Sequence, residues 1–417
     1  MLVLLIDSNN FVGRKFLSFA RTLLIMLVFT YSSGLAYANH GGGHHSDHEP
    51  PTFKRKIEQK IAQYKKEILA AFGLYEEKTA QVWGKDTVVP DTNIGVTYYN
   101  SLNQRSIVDY EKGTIKVEVA VGGNSINQRD FEERLADAVE QTILQGTDER
   151  SIIEMADNPV VPENPVALGD QRPSALAGLV ADEQGNPIKP YEIKNFKKRQ
   201  SRALQKRHLK GRDGVKRMVL STQFKLVPNH IRKRAEKYQR VVNVNAQKHR
   251  ISTPLIYAIM ETESFFNPTA KSSVPAFGLM QLVPATGARD AYKFLHSKDW
   301  LVKETYLYNS KNNIELGVAY LHILYFRYLK RIKNPESKQW ATIAAYNTGV
   351  RNVYRSFAGK YKKSKFGSRG SWNRVALKKI NKMNSEQVYK HLRRYLPYEE
   401  TRSYLEKVRT RMKKYGL

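Results

Sequence analysis

The chain has 417 residues, of which 41% are hydrophobic and 26% charged, a composition that is ordinary for a soluble globular protein and excludes a protein with several membrane spans. Its 69 Lys and Arg outnumber its 39 Asp and Glu, and the net charge of +30 favours polyanionic partners. It contains no cysteine, so disulfides, thiolate zinc sites, iron–sulfur clusters and a cysteine nucleophile are excluded.

Residues 1–38 contain the three parts of a secretory signal peptide. These are basic residues, a short apolar run at 22–31 and the small-residue site Ala36-Tyr37-Ala38. The run is short for a membrane span, so we expect export and cleavage after Ala38, with an uncleaved signal anchor as the alternative. Residues 39–51 are rich in His and Gly and lack packing residues, which predicts a flexible leader rather than a preorganised metal site.

The stretch 52–225 is predicted to be a small α+β accessory domain. Apolar residues at helical spacing predict a helix from residue 53 that stops at Gly73. Alternating valines and polar residues predict a β-hairpin of 105–110 and 115–121 with one buried face. Asn127 is the predicted cap of a second helix. No residue pattern in this domain indicates catalysis.

A basic segment covers residues 194–217, with eleven Lys or Arg and the single acid Asp213. Such a run favours either a docking surface for an anionic polymer or a solvated helix face. Aromatic residues for base stacking and motifs of nucleic-acid-binding folds are both missing, so DNA or RNA is not the expected ligand.

The stretch 226–417 is predicted to be helical throughout, without strand patterns. One charged helix is expected over 228–250, and the next is capped by Thr253 with Pro254 at its first position. Further helices are predicted over 313–330, 339–347 and 399–415.

One carboxylate in this stretch has the setting of a general acid. Glu263 continues the apolar helix face formed by Ile256, Ile259 and Met260. Glu261 lies about 200° around the helix, so the two glutamates cannot share a site. Apolar surroundings disfavour the charged form and raise the pKa of Glu263, as acid catalysis near neutral pH requires. The alternative is a helix-end glutamate paired with a base.

A series of motifs in a fixed order follows. Glu263-Ser264 is succeeded by Gly278-Leu279-Met280-Gln281, Ala345-Tyr346-Asn347 and Glu400-Thr401-Arg402 with Tyr404. This series resembles the lytic transglycosylase domain of the goose-lysozyme-like superfamily over roughly residues 228–410. The preceding region resembles the accessory region of the membrane-bound lytic murein transglycosylase C family. The resemblance implies a mainly α fold, in which a lysozyme-like all-α catalytic domain follows a small α+β accessory domain.

The resemblance implies roles for individual residues. Glu263 is expected to be the catalytic acid/base, and Ser264 to position the substrate N-acetyl group or the glutamate itself. The expected substrate-binding residues are Ser264, Gly278, Met280, Gln281, Tyr346, Asn347, Glu400 and Tyr404. Packing is the alternative for Met280, and pairing with Arg402 or a neighbouring base is the alternative for Glu400. Family members usually have Gly or Ala at position 348, where Thr348 is expected to narrow the cleft.

The number of acids suggests a mechanism. Most glycosidases use two carboxylates, whereas no second acid lies at a fixed short spacing from Glu263. In murein, the N-acetyl oxygen of N-acetylmuramic acid can attack its own anomeric carbon, and the C6 hydroxyl then closes a 1,6-anhydro ring. No metal or other cofactor is needed for this reaction.

We therefore expect a periplasmic peptidoglycan lytic transglycosylase whose partner is the glycan strand. The charge of +30 also favours association with an anionic cell-wall or membrane surface, without the lipid that membrane-bound relatives carry on a cysteine. The alternatives are a non-catalytic murein-binding protein, a lysozyme-type muramidase and a basic nucleic-acid-binding protein.

Overall fold

The computed structural model describes residues 51–122, 128–145, 150, 152–160, 176–272 and 275–416. The predicted signal peptide, most of the His-rich leader and the predicted cap Asn127 lie outside these residues. The fold class is confirmed: a small α+β region precedes a region made of helices. No helix in the described part of the chain is long and apolar enough to cross a membrane.

The first helix of the described residues, α1 (Pro51–Trp83), is longer than predicted because it continues through Gly73. An added Cβ at Gly73 would meet no atom within 4 Å, so this glycine lies on an open surface. Glycine in a helix interior is unfavourable by about 1 kcal/mol. The burial of Tyr75 and Trp83 further along the same helix outweighs this cost, and the predicted stop is wrong.

Within the described residues, five antiparallel strands form one sheet in the order β1-β2-β3-β5-β4. The strands are β1 (Ile94–Tyr99), β2 (Gln104–Asp109), β3 (Thr114–Gly122), β4 (Gln205–Lys210) and β5 (Lys216–Lys225). The predicted hairpin is confirmed as β2 and β3, in which Asp109 pairs with Thr114. The sequence did not predict β1, β4 and β5, and β4 lies inside the basic segment.

Both faces of this sheet are covered. Val117, Val119 and Val121 pack under α2 (Gln128–Gln145) and α4 (Ile193–Arg202), while Ala120 packs with Trp83 of α1. A short helix, α3 (Ile152–Asp157), also packs on α1. The expectation of a single buried face is therefore wrong, because the end of α1 covers the second one.

The second face contains a buried ionic network. The carboxylate of Glu118, which is fully buried, accepts hydrogen bonds from Arg105 at 2.7 Å and Arg207 at 3.1 Å and pairs with Lys116 at 2.7 Å. Burial raises the pKa of this carboxyl, but the neighbouring Arg105 and Lys116 outweigh that effect and lower it to about 2. Glu118 thus stays ionised inside the fold and binds three strands together.

The helical region consists of twelve helices with bounds as follows: α5 (His230–Glu236), α6 (Gln239–His249), α7 (Thr253–Ser264), α8 (Arg289–His296), α9 (Glu304–Tyr308), α10 (Ser310–His322), α11 (Pro335–Thr348), α12 (Val350–Ala358), α13 (Lys363–Phe366), α14 (Arg369–Ile380), α15 (Ser385–Tyr395) and α16 (Glu399–Tyr415), counted within the described residues. π-Helical turns at Pro284–Ala288 and Ile323–Tyr328 precede α8 and extend α10.

Two of the helix predictions need correction. The single helix expected over 228–250 is broken into α5 and α6 at Lys237 and Tyr238, and the backbone leaves the helical region at Tyr238, with φ −102° and ψ 0°. Ser252 rather than Thr253 is the cap residue of α7, so Pro254 is the second residue of the helix and not the first as predicted. The predicted last helix, 399–415, coincides with α16.

The hydrophobic core connects α1 to the helical region. Ile68, Tyr75 and Trp83 belong to the same buried cluster as the apolar face of α7 and the alanines of α11. The hydroxyl of Tyr64 on α1 also donates a hydrogen bond to the carboxylate of Glu304 on α9. The long helix therefore packs against the helical region that holds the candidate site.

Candidate active site

Glu263 lies in the last turn of α7. The helix is anchored by Ile256, Ile259 and Met260, which are fully buried, so the glutamate extends a face that points into the core. Phe265 and Phe266 follow with φ angles of 49° and 58°. Two successive non-glycine residues in the left-handed region are strained, and such strain concentrates at functional sites. This backbone ends the helix abruptly beside the glutamate.

The carboxyl of Glu263 has one hydrogen-bond donor from the opposite side of the site. The hydroxyl of Tyr404 on α16 donates to Oε1 of Glu263 at 2.7 Å, and Tyr404 itself is buried. Burial raises the pKa of Glu263 to about 8; the Tyr404 hydrogen bond lowers it and the charge of Glu400 raises it further. Glu263 is therefore protonated at neutral pH, which is the state that a general acid needs.

Glu261 has a different environment, as predicted from the helix geometry. Its buried carboxylate accepts hydrogen bonds from Lys414 at 3.0 and 3.1 Å and from the hydroxyl of Tyr415, and Arg411 lies 3.3 Å away. These partners lie on α16 about two to three turns beyond Tyr404. Glu261 thus fastens α16 to α7, while Glu263 faces the site.

The Gly278-Leu279-Met280-Gln281 loop depends on a glycine at its start. Gly278 has φ +75°, and an added Cβ would lie 2.4 Å from Nδ2 of Asn313 and 2.5 Å from the carbonyl oxygen of Leu307. Asn313 is fully buried and holds the loop through three hydrogen bonds. Its Nδ2 donates to the carbonyl oxygens of Phe277 and Leu307, and its Oδ1 accepts from the Met280 amide at 2.8 Å. No other residue type fits this contact without moving the loop.

Two predicted substrate-binding residues are buried inside the wall of the site. Ser264 is fully buried, and its hydroxyl donates to the carbonyl oxygen of Leu279 at 2.8 Å. Met280 is also fully buried and packs against Gly317, where a Cβ would come within 2.3 Å of its sulfur. The Met280 carbonyl accepts a hydrogen bond from the Tyr346 hydroxyl at 2.7 Å. These contacts hold the loop between α7, α10 and α11.

Gln281 closes the loop with a left-handed backbone of φ 45°. Its Nε2 donates to the carbonyl oxygens of Ala270 and Gly278, both at 3.0 Å. Its Oε1 is buried and has no hydrogen-bond partner among the described residues. A buried acceptor without a donor is unfavourable, so this amide is suited to accept a hydrogen bond from a bound polar group.

The opposite wall is formed by the end of α11 and the start of α16. Oδ1 of Asn347 accepts a hydrogen bond from the buried Thr401 hydroxyl at 2.7 Å. Burial raises the pKa of Glu400, while a hydrogen bond with Asn347 lowers it. Arg402 instead donates to the carbonyl oxygen of Leu396 at 2.7 Å. Glu400 therefore lies beside Asn347 and within electrostatic range of Glu263.

Thr348 does not narrow the cleft, contrary to the expectation from the sequence. Its side chain is buried and accepts a hydrogen bond from Nδ2 of Asn352 at 3.0 Å, and the same amide donates to the Thr348 carbonyl oxygen at 2.9 Å. The threonine thus stabilises the corner between α11 and α12 from the inside.

Sequence reasoning did not assign a role to Asn313 or Thr401, although Thr401 belongs to the motif series and Asn313 lies between two of its motifs. Asn313 acts on residues that precede it by 6 to 36 positions, and Thr401 acts on a residue 54 positions earlier. Contacts over such separations leave no local pattern. The sequence does contain one indication: each residue is a polar side chain on the apolar face of a helix. A polar group in such a place is buried and requires a hydrogen-bond partner.

Both regions of the chain match known families. Residues 240–367 match the family model described as Transglycosylase SLT domain, and residues 61–237 match that of Membrane-bound lytic murein transglycosylase C, N-terminal domain. A membrane-bound lytic murein transglycosylase C from Mannheimia succiniciproducens is 34% identical over 337 residues, which cover 81% of this chain and 85% of that protein.

Two further relatives with the same name show similar agreement. The protein from Haemophilus influenzae (strain PittGG) is 36% identical over 82% of this chain and 87% of its own length, and that from Sodalis glossinidius is 33% identical over 82% and 88%. The chain belongs to the membrane-bound lytic murein transglycosylase C family. This assignment confirms the family and the enzyme class, lytic transglycosylase, that the sequence motifs predicted.

Among solved structures, the 70 kDa soluble lytic transglycosylase SLT70 from Escherichia coli is 23% identical to this chain. The match covers 42% of this chain and 23% of that protein, with a TM-score of 0.31.

Replacing Tyr404 by Phe should extend activity to higher pH. The Tyr404 hydroxyl lowers the pKa of Glu263, so its removal raises the pKa, and the acid stays protonated about one pH unit further into the alkaline range. The measurement is the pH profile of murein cleavage between pH 6 and 10. Tyr415→Phe is the matched control, because it removes a hydroxyl from Glu261 instead. An alkaline limb that stays in place or moves down in Tyr404→Phe would contradict this reading of the site.

Proposed function

We propose that the protein cleaves the β-1,4 bond between N-acetylmuramic acid and N-acetylglucosamine in peptidoglycan glycan strands, and that it leaves 1,6-anhydro-N-acetylmuramic acid ends. Glu263 is the single acid/base of this reaction. The supporting observation is the partly buried Glu263 carboxyl, whose pKa is raised to about 8 and which accepts a hydrogen bond from Tyr404. The family assignment supports the reaction class, and the catalytic residue and product are our own inference.

The reaction proceeds in two steps. Glu263 first donates its proton to the leaving oxygen of N-acetylglucosamine, while the N-acetyl oxygen of N-acetylmuramic acid attacks its own anomeric carbon and forms an oxazolinium ring. The Glu263 carboxylate then takes the proton of the C6 hydroxyl, whose oxygen attacks the anomeric carbon and reopens that ring. Glu263 ends protonated, so one residue serves both steps and no water is consumed.

Tyr404 has a defined role in this two-step reaction. Its hydroxyl donates to Oε1 of Glu263, which leaves Oε2 for the proton that is transferred. Between the two steps the Glu263 carboxylate is charged while partly shielded from water, and a hydrogen bond to a charged group is stronger than one to a neutral group. Tyr404 therefore stabilises the intermediate more than the resting acid.

The other predicted site residues fall into two groups. Ser264, Met280 and the Tyr346 hydroxyl position the 278–281 loop against α7 and α11, because their polar contacts are made within the protein. The side chains proposed to contact the glycan are Gln281, with its free acceptor, and Asn347 with Glu400 on the opposite wall. Gly278 has no side chain, so the glycan can approach the backbone closely at this position.

We further propose a periplasmic location, reached through the signal peptide predicted in residues 1–38. The relatives named above are described as membrane-bound, and murein is an extracytoplasmic substrate. The basic composition favours attraction to this polymer, since its stem peptides carry carboxylates.

A lysozyme-type hydrolysis is the second candidate, because Glu400 lies within electrostatic range of Glu263 and raises its pKa. A hydrolase needs a base or nucleophile beside its acid, and Glu400 is the carboxylate in that position. The two candidates differ in whether water enters the product.

Replacing Glu263 by Gln should abolish nearly all cleavage while the protein stays folded. An amide keeps the volume but donates no acidic proton, and general acid–base catalysis contributes about 10²–10⁴-fold. Glu261→Gln is the matched control: it weakens the ion pairs with Lys414 and Arg411 and lowers the melting temperature, but it leaves the rate per folded molecule close to that of wild type. A Glu263→Gln protein that cleaves sacculi at the wild-type rate would refute the assignment.

The products should end in 1,6-anhydro-N-acetylmuramic acid. Attack by a hydroxyl of the same ring has a high effective concentration and removes the need for a second carboxylate. Mass spectrometry of muropeptides from digested sacculi separates the two outcomes, which differ by one water. Products that carry the extra water and are reducible by borohydride would indicate hydrolysis, with Glu400 as the base to test next.

A further inference from the structure

An apolar groove lies between the first part of α1 and the segment that follows the 278–281 loop. Its volume is about 310 Å³, and the surface that lines it is almost entirely apolar. The lining includes Ile61, Ala62 and Lys65 on α1 and Val283, Pro284 and Ala285 on the opposite side. The chemistry proposed for Glu263 makes no use of this groove.

The groove suits a hydrocarbon chain better than a sugar. The hydroxyl and acetamido groups of a sugar need hydrogen-bond partners once they leave water, and a buried polar group without a partner is unfavourable. Among the few polar groups at the groove, the Tyr64 hydroxyl already donates to the carboxylate of Glu304. A hydrocarbon chain needs no such partner, and its removal from water into an apolar groove is favourable.

The part of α1 that forms the groove is strongly basic. Residues 54–66 contain six Lys or Arg and one acid, Glu58. Lys56 and Lys60 are four residues apart, a spacing at which like charges on a helix repel each other. Four of the six cations have exposed side chains, and none of these four forms an ion pair with an acid in the described part of the chain: Arg55, Lys56, Lys60 and Lys66. Their positive charge is therefore available to an external anion.

Exposed cations share a helix face with apolar side chains at the edge of the groove. Residues seven positions apart differ by about 20° around an α-helix, so Arg55, Ala62 and Leu69 lie on one stripe. Lys66 lies beside this stripe, about 20° from Arg55. Ala62 lines the groove, and Leu69 is 43% exposed. These four residues form the docking face of α1, which combines two cations with two apolar side chains as interfacial helices on membranes do.

We propose that the docking face and the adjoining groove bind the surface of an anionic phospholipid bilayer. Arg55, Lys66 and the nearby Lys60 attract the lipid phosphates, while Leu69 and the groove contact the acyl chains. A phospholipid carries both an anionic headgroup and hydrocarbon, whereas a glycan strand or a nucleic acid supplies charge without hydrocarbon. Because the groove adjoins the 278–281 loop, binding places the site close to the membrane. The inference goes beyond the proposed function and does not depend on the reaction of Glu263.

Exposed cations on α4 provide a matched control for the docking face. Lys194, Lys198 and Arg202 follow one another at intervals of four residues, so they share a face of α4, and their side chains are exposed. They amount to two Lys and one Arg, as do the three cations named above for α1. Substitution of either set removes three charges, so the general attraction of a protein with a net charge of +30 to an anionic surface falls equally.

The test measures binding to vesicles of phosphatidylglycerol and phosphatidylethanolamine by co-sedimentation. The protein begins at Asn39, the form that the predicted cleavage leaves, so that the apolar run at 22–31 cannot insert into the bilayer. Arg55→Gln/Lys60→Gln/Lys66→Gln should weaken binding at least about tenfold, since each cation near an anionic surface contributes about fivefold. Lys194→Gln/Lys198→Gln/Arg202→Gln should weaken it less than about threefold. Binding of the wild type should also fall with salt.

Ala62→Gln/Leu69→Gln tests the apolar part of the docking face without a change of charge. This variant should weaken vesicle binding about fivefold, because less apolar surface leaves water on binding. It should cleave soluble glycan oligomers at the wild-type rate, because neither residue belongs to the site of Glu263. Slower cleavage of these oligomers together with unchanged vesicle binding would overturn the proposal and assign the groove to the glycan.

Two further results would overturn the proposal: a wild-type protein that does not bind the anionic vesicles, and equal losses of binding in the two charge variants. If the α1 charge variant fails to fold, Lys66→Gln alone should still weaken vesicle binding about fivefold. Wild-type protein that binds vesicles but fails to cleave murein would contradict the proposed function and support the docking face.

Discussion

The site depends on the hydrogen bond between Tyr404 and Glu263, which joins the last helix of the helical region to one near its start. Glu263 belongs to α7, the third helix of that region, and Tyr404 belongs to α16, the last. A carboxyl in this position is partly shielded from water, so its protonated form is favoured, while the tyrosine keeps the charged form accessible. Catalysis by one residue in two roles requires both states to be within reach near neutral pH.

Other buried contacts hold α16 against α7 and hold the 278–281 loop against α10. Glu261, two residues before Glu263, binds Arg411, Lys414 and Tyr415 and so fixes α16 along its last turns. Asn313 holds the 278–281 loop through three hydrogen bonds to the backbone. Breaking a buried ion pair typically costs about 3–5 kcal/mol, so Glu261 stabilises the packing of α16 on α7.

The sequence predicted those features that follow from local periodicity. The separation of Glu261 from Glu263 follows from 3.6 residues per turn, and the β2–β3 hairpin follows from the alternation of valines. Prediction from the sequence failed for features that depend on contacts between distant parts of the chain. Gly73 does not end α1 because the helix is held by Tyr75 and Trp83 in a core built from later residues. β4 was missed because its side chains are basic and its partner strand lies beyond a turn.

The candidate site shows the same division. The motif series named the residues, but their orientation comes from contacts made across the fold. Ser264 and Met280 were expected to meet substrate, and both turn inward to hold the loop. Thr348 was expected at the cleft and is buried under the α11–α12 corner. The residue type at a motif position does not show whether its side chain lines the cleft or supports the wall from inside.

The ionisation of Glu263 is the central claim, and it can be observed without substrate. Protein labelled with ¹³C at the glutamate carboxyl carbons can be titrated by NMR, with Glu263→Gln used to assign the resonance. The structure predicts a midpoint near pH 8 for that resonance. A midpoint near 4.5, the ordinary value for a solvated glutamate, would show that the carboxyl is charged at neutral pH and cannot serve as the acid.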